Sequence, residues 1–115
     1  MLNCQKCIET LLDAEQLEVD RIGAAESLMY CASQESKAAL LEIILNKSEI
    51  SELREECAGS LGSICAETEI EYNKLAQIPS QYIEEVLHEI KLRGVILDMD
   101  LLKKEQRKLS IDQMY

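Results

Sequence analysis

The sequence predicts an all-α fold, a short stack of about five to six helices arranged as antiparallel pairs, and three observations carry that expectation. Leu, Ile, Ala, Glu and Lys dominate the 115 residues, while Pro occurs once and Gly four times, a composition that favours helix over a loop-rich β fold. Apolar residues recur at three- and four-residue spacing, the period of a helix with one buried face. The stretch Arg54-Glu55-Glu56-Cys57-Ala58-Gly59-Ser60-Leu61 also echoes Arg21-Ile22-Gly23-Ala24-Ala25-Glu26-Ser27-Leu28, 33 positions earlier. Five positions agree in kind, pairing Arg21 with Arg54, Ala24 with Cys57, Ala25 with Ala58, Ser27 with Ser60 and Leu28 with Leu61. A fixed offset with matched small and apolar positions marks a repeat.

Each element follows from its own pattern. Residues 2–16 place Cys4, Cys7, Ile8, Leu11 and Leu12 on one stripe, with Lys6, Glu9 and Asp13 behind it. This predicts a first helix that closes the open end of the stack. Residues 19–33 form the first repeat helix, with Ile22, Ala25, Met29 and Ala32 on one side and Ala24, Leu28 and Cys31 widening the stripe. Asp20 suits the positive end of its dipole. Gly23, Ala24 and Ala25 are small enough for a neighbouring helix to come close. A polar break, Ser33-Gln34-Glu35-Ser36, leads to helix 36–47, with Ser36 as N-cap and Leu40, Leu41, Ile44 and Leu45 inward.

Helix 51–66 buries Leu53, Cys57, Leu61, Ile64 and Cys65. Gly59 and Gly62 would each cost about 1 kcal/mol relative to Ala in a helix, so close packing is expected there. Residues 67–78 depart from the first copy and form either an extra turn of helix around 70–77 or a longer loop. Pro79 suits the first turn of helix 80–92, which turns Ile83, Val86, Leu87 and Ile90 inward and ends at Arg93-Gly94. Asp98 or Asp100 can cap a final helix reaching about Leu109, in a segment 95–115 that is either a closing cap or a tail. The whole, 1–115, is one helical-repeat domain, with repeats at about 19–47 and 51–92 between the terminal segments.

The pattern Arg-x-x-small-Ala-x-x-Leu, present at both copies, resembles the first helix of a HEAT repeat, and the resemblance covers roughly residues 18–92. It implies a HEAT-like α-solenoid whose second helices line a concave side and bind other macromolecules. Carried onto this sequence, helices 36–47 and 80–92 line that side, and Lys37, Glu42, Gln81, Glu84, Glu85, His88 and Glu89 become its polar positions.

Charge narrows the class of partner. The formal net charge is −10; residues 1–90 carry 6 basic and 18 acidic groups, and residues 91–115 carry 6 and 4. Such a body repels nucleic acid and anionic lipid and attracts a basic protein. Phe and Trp are absent, so the four tyrosines are the only aromatic anchors for a partner. Tyr72 and Tyr82 are expected beside the acidic face and the irregular 67–78 segment. The candidate partner-binding set is therefore Glu42, Glu69, Glu71, Tyr72, Tyr82, Glu84, Glu85, His88 and Glu89.

Chemistry of other kinds finds little footing. Cys4-x-x-Cys7 has no second ligand pair for zinc, and the five cysteines are expected to be thiols at helical positions, not a disulfide framework. His88, the only histidine, has no nucleophile or phosphate loop beside it. No catalytic residue, metal site or cofactor is expected. No apolar run approaches the roughly 18 residues of a membrane span, and no secretory leader is expected from the first residues, so a cytoplasmic location and a monomer when free are the expectations. A short, strongly acidic repeat protein resembles bacterial immunity proteins, which block a cognate toxin, often a nuclease with a basic groove. The alternative is a HEAT-like adaptor or assembly factor in a larger complex. An enzyme of the helical-repeat kind is disfavoured, since versions acting on DNA need a basic concave face.

Overall fold

A computed structural model describes residues 2–114, and among them the chain forms seven α-helices and no strand. They are α1 (Cys4–Leu12), α2 (Glu18–Ser27), α3 (Gln34–Leu45), α4 (Ser51–Glu67), α5 (Tyr72–Leu75), α6 (Ser80–Leu92) and α7 (Met99–Met114), with a 3-10 turn at Leu28–Tyr30 after α2. Seven is more than the five to six expected, because the 67–78 segment contributes the short α5.

Local chemistry sets the ends. Asn3 starts α1 by accepting the Lys6 amide at 3.0 Å. Asp13 stops it at Leu12, since its carboxylate accepts the Glu15 amide at 3.0 Å in a local turn; the expected 2–16 helix is shorter for that reason. Ser33, rather than Ser36, caps α3: its hydroxyl accepts the Ser36 amide at 3.1 Å, and Ser36 itself is buried. Pro79 occupies the N-cap of α6, its carbonyl accepting the Tyr82 and Ile83 amides. Gly94, at φ 82°, ends α6 in a Schellman arrangement, with Gly94 N–H bonded to Lys91 O and Val95 N–H to Ile90 O. Asp98 caps the final helix through the Leu101 amide at 3.0 Å, and that helix continues past Leu109 to Met114.

The core is aliphatic. Leu28, Leu40, Ile44, Leu53, Ile64, Val86 and Ile90 are fully enclosed, with Leu11 from the first helix and Leu102 from the last. α4 lies at its centre, packed against α2, α3 and α6. The chief partner of α1 is α2 and that of α3 is α4, while α7 rests on α5. α2 thus packs on α1 and α4 rather than on α3, while α4 packs on α6 most extensively and on α3 as well. Gly62 allows the tight α4–α6 seam: a Cβ there would lie 2.6 Å from the Val86 carbonyl oxygen. Gly23, by contrast, meets nothing within 4 Å, so the close approach expected at that position is absent.

Two buried arginines tie the pairs together. Arg21, 1 % exposed, donates from Nε to Leu11 O at 3.0 Å and from both terminal nitrogens to the Glu49 carboxylate. Arg54 donates to Ile44 O at 2.8 Å and stacks on the Tyr82 ring, 4.4 Å from its centroid.

One cysteine expectation is corrected. Cys4 and Cys31 form a disulfide, leaving Cys7, Cys57 and Cys65 as free thiols. The start of α1 and the residue after the 3-10 turn are the two free ends of the first helical hairpin, and the antiparallel pairing of α1 with α2 brings them together.

Candidate protein-binding groove

The site is built on the solvent side of α4. Leu53, Cys57, Leu61 and Ile64 face the core, so helical spacing turns Glu52, Glu55, Glu56, Gly59 and Ser63 the other way. α2 supplies one wall with Ile22 and, from the following turn, Met29; α6 supplies the other with Gln81, Glu84, Glu85 and Glu89. The result is one open groove in two lobes that share Glu55, Glu56 and Glu85. Its floor is low because Gly59 has no side chain and Ser60 and Ser63 are short and buried. Both serines are engaged: Ser60 donates to Ala25 O at 2.7 Å, and Ser63 to Gly59 O at 3.2 Å.

The electrostatics are one-signed. Among the described residues, Glu52, Glu55, Glu56, Glu84 and Glu85 are in no ion pair, while Glu89 pairs with Arg93 at 3.9 Å and accepts from Ser63 Oγ at 3.4 Å. Burial raises the Glu56 carboxyl above its ordinary value, and the charges of Glu26 and Glu85 raise it further. A carboxylate made uncomfortable by its own neighbours gains most from an incoming cation.

Glu84, Glu85 and Glu89, three of the sequence-based set, line this groove. The remaining members of that set lie elsewhere. Glu42 is exposed on α3 and lines neither lobe. His88 is exposed on α6 outside both lobes. Tyr82 is corrected from surface anchor to core residue: it is 1 % exposed beneath Arg54. Tyr72 is half-buried, and its hydroxyl accepts the Asp98 amide at 2.8 Å, joining α5 to the start of α7. Glu71 is paired with Lys37 at 3.1 Å and Lys74 at 2.9 Å, and those hydrogen bonds, Lys74 first, hold its carboxyl below the usual range. Glu69 has an exposed side chain, while its carbonyl accepts from Lys37 at 2.9 Å.

Sequence reasoning left Glu52, Glu55 and Glu56 out of the candidate set. Their spacing opposite the Leu53–Cys57–Leu61 stripe was the available signal. Among the described residues, no group of three or more His, Cys, Asp or Glu side chains is placed to hold a metal ion, and no helix is long and apolar enough to cross a membrane. No family model, curated protein or solved structure matches the chain.

Proposed function

We propose that the chain is a non-enzymatic protein-binding module of HEAT-like design, and that it acts as an immunity protein neutralising a basic cognate toxin, a nuclease by the logic of charge. The observation that carries this reading is the groove over α4, where five carboxylates lie side by side without a compensating cation. A basic segment placed there exchanges mutual repulsion for attraction and is steered to it from a distance. The solenoid part of the reading is supported by the 33-residue recurrence of the arginine–carbonyl contacts.

The test is co-purification from the source cell followed by an activity assay. The wild-type chain is expected to retain a basic protein that is released as salt rises, and to inhibit its nuclease activity in stoichiometric amounts. Retention that is unchanged by salt and by charge reversal in the groove sinks the reading. A second reading, an adaptor in a larger assembly, is favoured by the apolar side chains at one end of the molecule, where Leu17 is 68 % and Val19 71 % exposed. Salt-insensitive binding abolished by Leu17→Asp would select it.

A further inference from the structure

The three cysteines at the N-terminal end of the molecule differ from the other two. Cys57 and Cys65 are enclosed in the core, and burial pushes both thiols up, Cys65 to about 11; neither is reactive at neutral pH. Cys4, Cys7 and Cys31 lie together where α1 begins and the first hairpin ends. Cys4 is bonded to Cys31. Cys7 is free and half-buried, one turn along α1 from Cys4, and the two side chains share a helix face. Cys-x-x-Cys is also the spacing at which disulfide oxidoreductases bridge two cysteines.

From this arrangement we infer that Cys4 is the pivot of a disulfide exchange, bonded alternately to Cys31 and to Cys7. The Cys7 thiolate attacks the Cys4 sulfur, the Cys4–Cys31 bond breaks, and Cys31 leaves as a thiolate. Cys31 then takes up the proton that Cys7 gave to solvent. One S–S bond forms and one is lost, so the step is redox-neutral and needs no external oxidant or reductant.

The exchange releases the one covalent tie on α1, which otherwise rests on α2 and α3. Leu11 is the only buried residue of the nine in α1. Arg21 grips the last turn of that helix through Leu11 O, and the disulfide grips the first. The second hairpin makes the comparison concrete. Lys37 stands 33 positions after Cys4, and its Nζ holds the start of α3 to the chain beyond α4, through Glu69 O, Thr68 Oγ1 and Glu71. The equivalent join in the first hairpin is covalent and contains a spare thiol. With Cys4 moved to Cys7, the first turn of α1 loses its anchor while the Leu11 end stays attached.

The sequence makes the exchange easy to follow. Lys6 separates Cys4 from Cys7, so tryptic cleavage places Cys4 in 1–6, Cys7 in 7–21 and Cys31 in 22–37. The folded, air-oxidised chain is incubated at about pH 8.5, where an ordinary cysteine thiol is half ionised, then alkylated, cleaved and mapped by mass spectrometry. The expected result is two linked pairs, 1–6 with 22–37 and 1–6 with 7–21, within about tenfold of each other in abundance. Cys7→Ser is expected to leave only the first pair, and Cys31→Ser only the second. In the exchanged form, amides in the first turn of α1 should exchange with deuterium about tenfold faster while those near Leu11 do not. Recovery of Cys4–Cys31 alone with Cys7 fully alkylated overturns the inference, as does recovery of no bridge at all. Both outcomes are read on the wild-type chain, so neither depends on a variant folding.

Discussion

Arg21 and Arg54, 33 positions apart, perform the same contact. Each donates from Nε to a backbone carbonyl ten residues upstream, Leu11 O at 3.0 Å and Ile44 O at 2.8 Å. The group on the far side of each guanidinium obeys the same offset of 33: Glu49 receives Arg21, and Tyr82 lies under Arg54. What recurs is thus an interaction and not merely a string of letters. An arginine near the start of one helix closes the carbonyl end of the preceding helix, then reaches the start of a helix further along, Glu49 just before α4 and Tyr82 in the first turn of α6.

That relationship predicts unequal costs for losing a partner. Arg21→Ala leaves the Glu49 carboxylate without its buried cation and Leu11 O without a donor, and is expected to cost about 3 kcal/mol. Arg21→Met with Glu49→Met together should recover most of that loss, because neither charge then remains unpaired. Arg54→Ala abandons a carbonyl and an aromatic face but no charge, and should cost about 2 kcal/mol. Urea unfolding followed by circular dichroism measures all of these. A double variant no more stable than Arg21→Ala would show that the pair does not act as a unit.

Much of this was legible in the sequence where periodicity was strong. α4 and α6 have nearly the expected bounds, since Leu53–Cys57–Leu61 and Ile83–Val86–Leu87–Ile90 leave one choice of face. The phase of the pairing was not legible. The echo at Arg21 and Arg54 reads the same whether α2 pairs back to α1 or forward to α3, and both connections are short. The burial of two arginines was hidden as well, because a charged residue counts as exposed until its partners are known. Tyr82 misled for a simpler reason: its phenol suggested a surface, although it stands four residues before Val86 and eight before Ile90, on the buried stripe. The groove was half legible, its α6 wall read from exposed glutamates and its α4 floor overlooked. The disulfide depends on the ends of a hairpin meeting, which no spacing of cysteines announces.

Two glycines of α4 predict opposite responses to the same change. At Gly62 an added methyl meets the Val86 carbonyl oxygen at 2.6 Å and the Glu89 Cβ at 2.7 Å, so α4 and α6 must part. Gly62→Ala is expected to destabilise by about 2 kcal/mol. At Gly59 the nearest atom is the Glu85 carboxylate oxygen at 3.6 Å, the end of a flexible side chain. Gly59→Ala should stabilise by about 0.5–1 kcal/mol through helix propensity and a less free unfolded chain. Midpoints of chemical denaturation give both signs directly.

Two glutamates predict opposite dependence on pH. Glu71 is held below its ordinary value of 4.5 by hydrogen bonds from Lys74 and Lys37. Its contribution to stability is complete above the unfolded-state value and is lost as pH falls through the lower folded-state one. Glu56 is raised above 4.5, by burial first and by Glu26 and Glu85 after it. Ionised Glu56 therefore opposes folding at neutral pH, and that opposition is relieved as pH falls through its folded-state value. Glu71→Gln should lower Tm at about pH 7 and lose its effect near pH 2–3. Glu56→Gln should raise Tm at about pH 7 and become neutral below about pH 4. Thermal melts across that range test both, and parallel pH profiles for the two variants would contradict the assignment.

The groove itself is tested by where charge reversal matters. Glu84, Glu85 and Glu89 share α6, but only the α4 neighbours Glu52, Glu55 and Glu56 make them part of a concave surface. Glu42 is also exposed and acidic, yet it stands on α3, outside the groove. If affinity for a basic protein arose from net charge alone, Glu42→Lys would weaken binding about as much per charge as a groove variant. If the groove is the contact, Glu85→Lys with Glu89→Lys should slow association more than tenfold at low salt, and Glu42→Lys should change it less than twofold. Glu55→Lys, on the floor, should add to the α6 pair by speeding dissociation, because a lysine there stays beneath the bound segment instead of at its edge. Stopped-flow association at two ionic strengths separates these cases: the groove variants should lose most of their salt dependence, and the α3 variant should keep it.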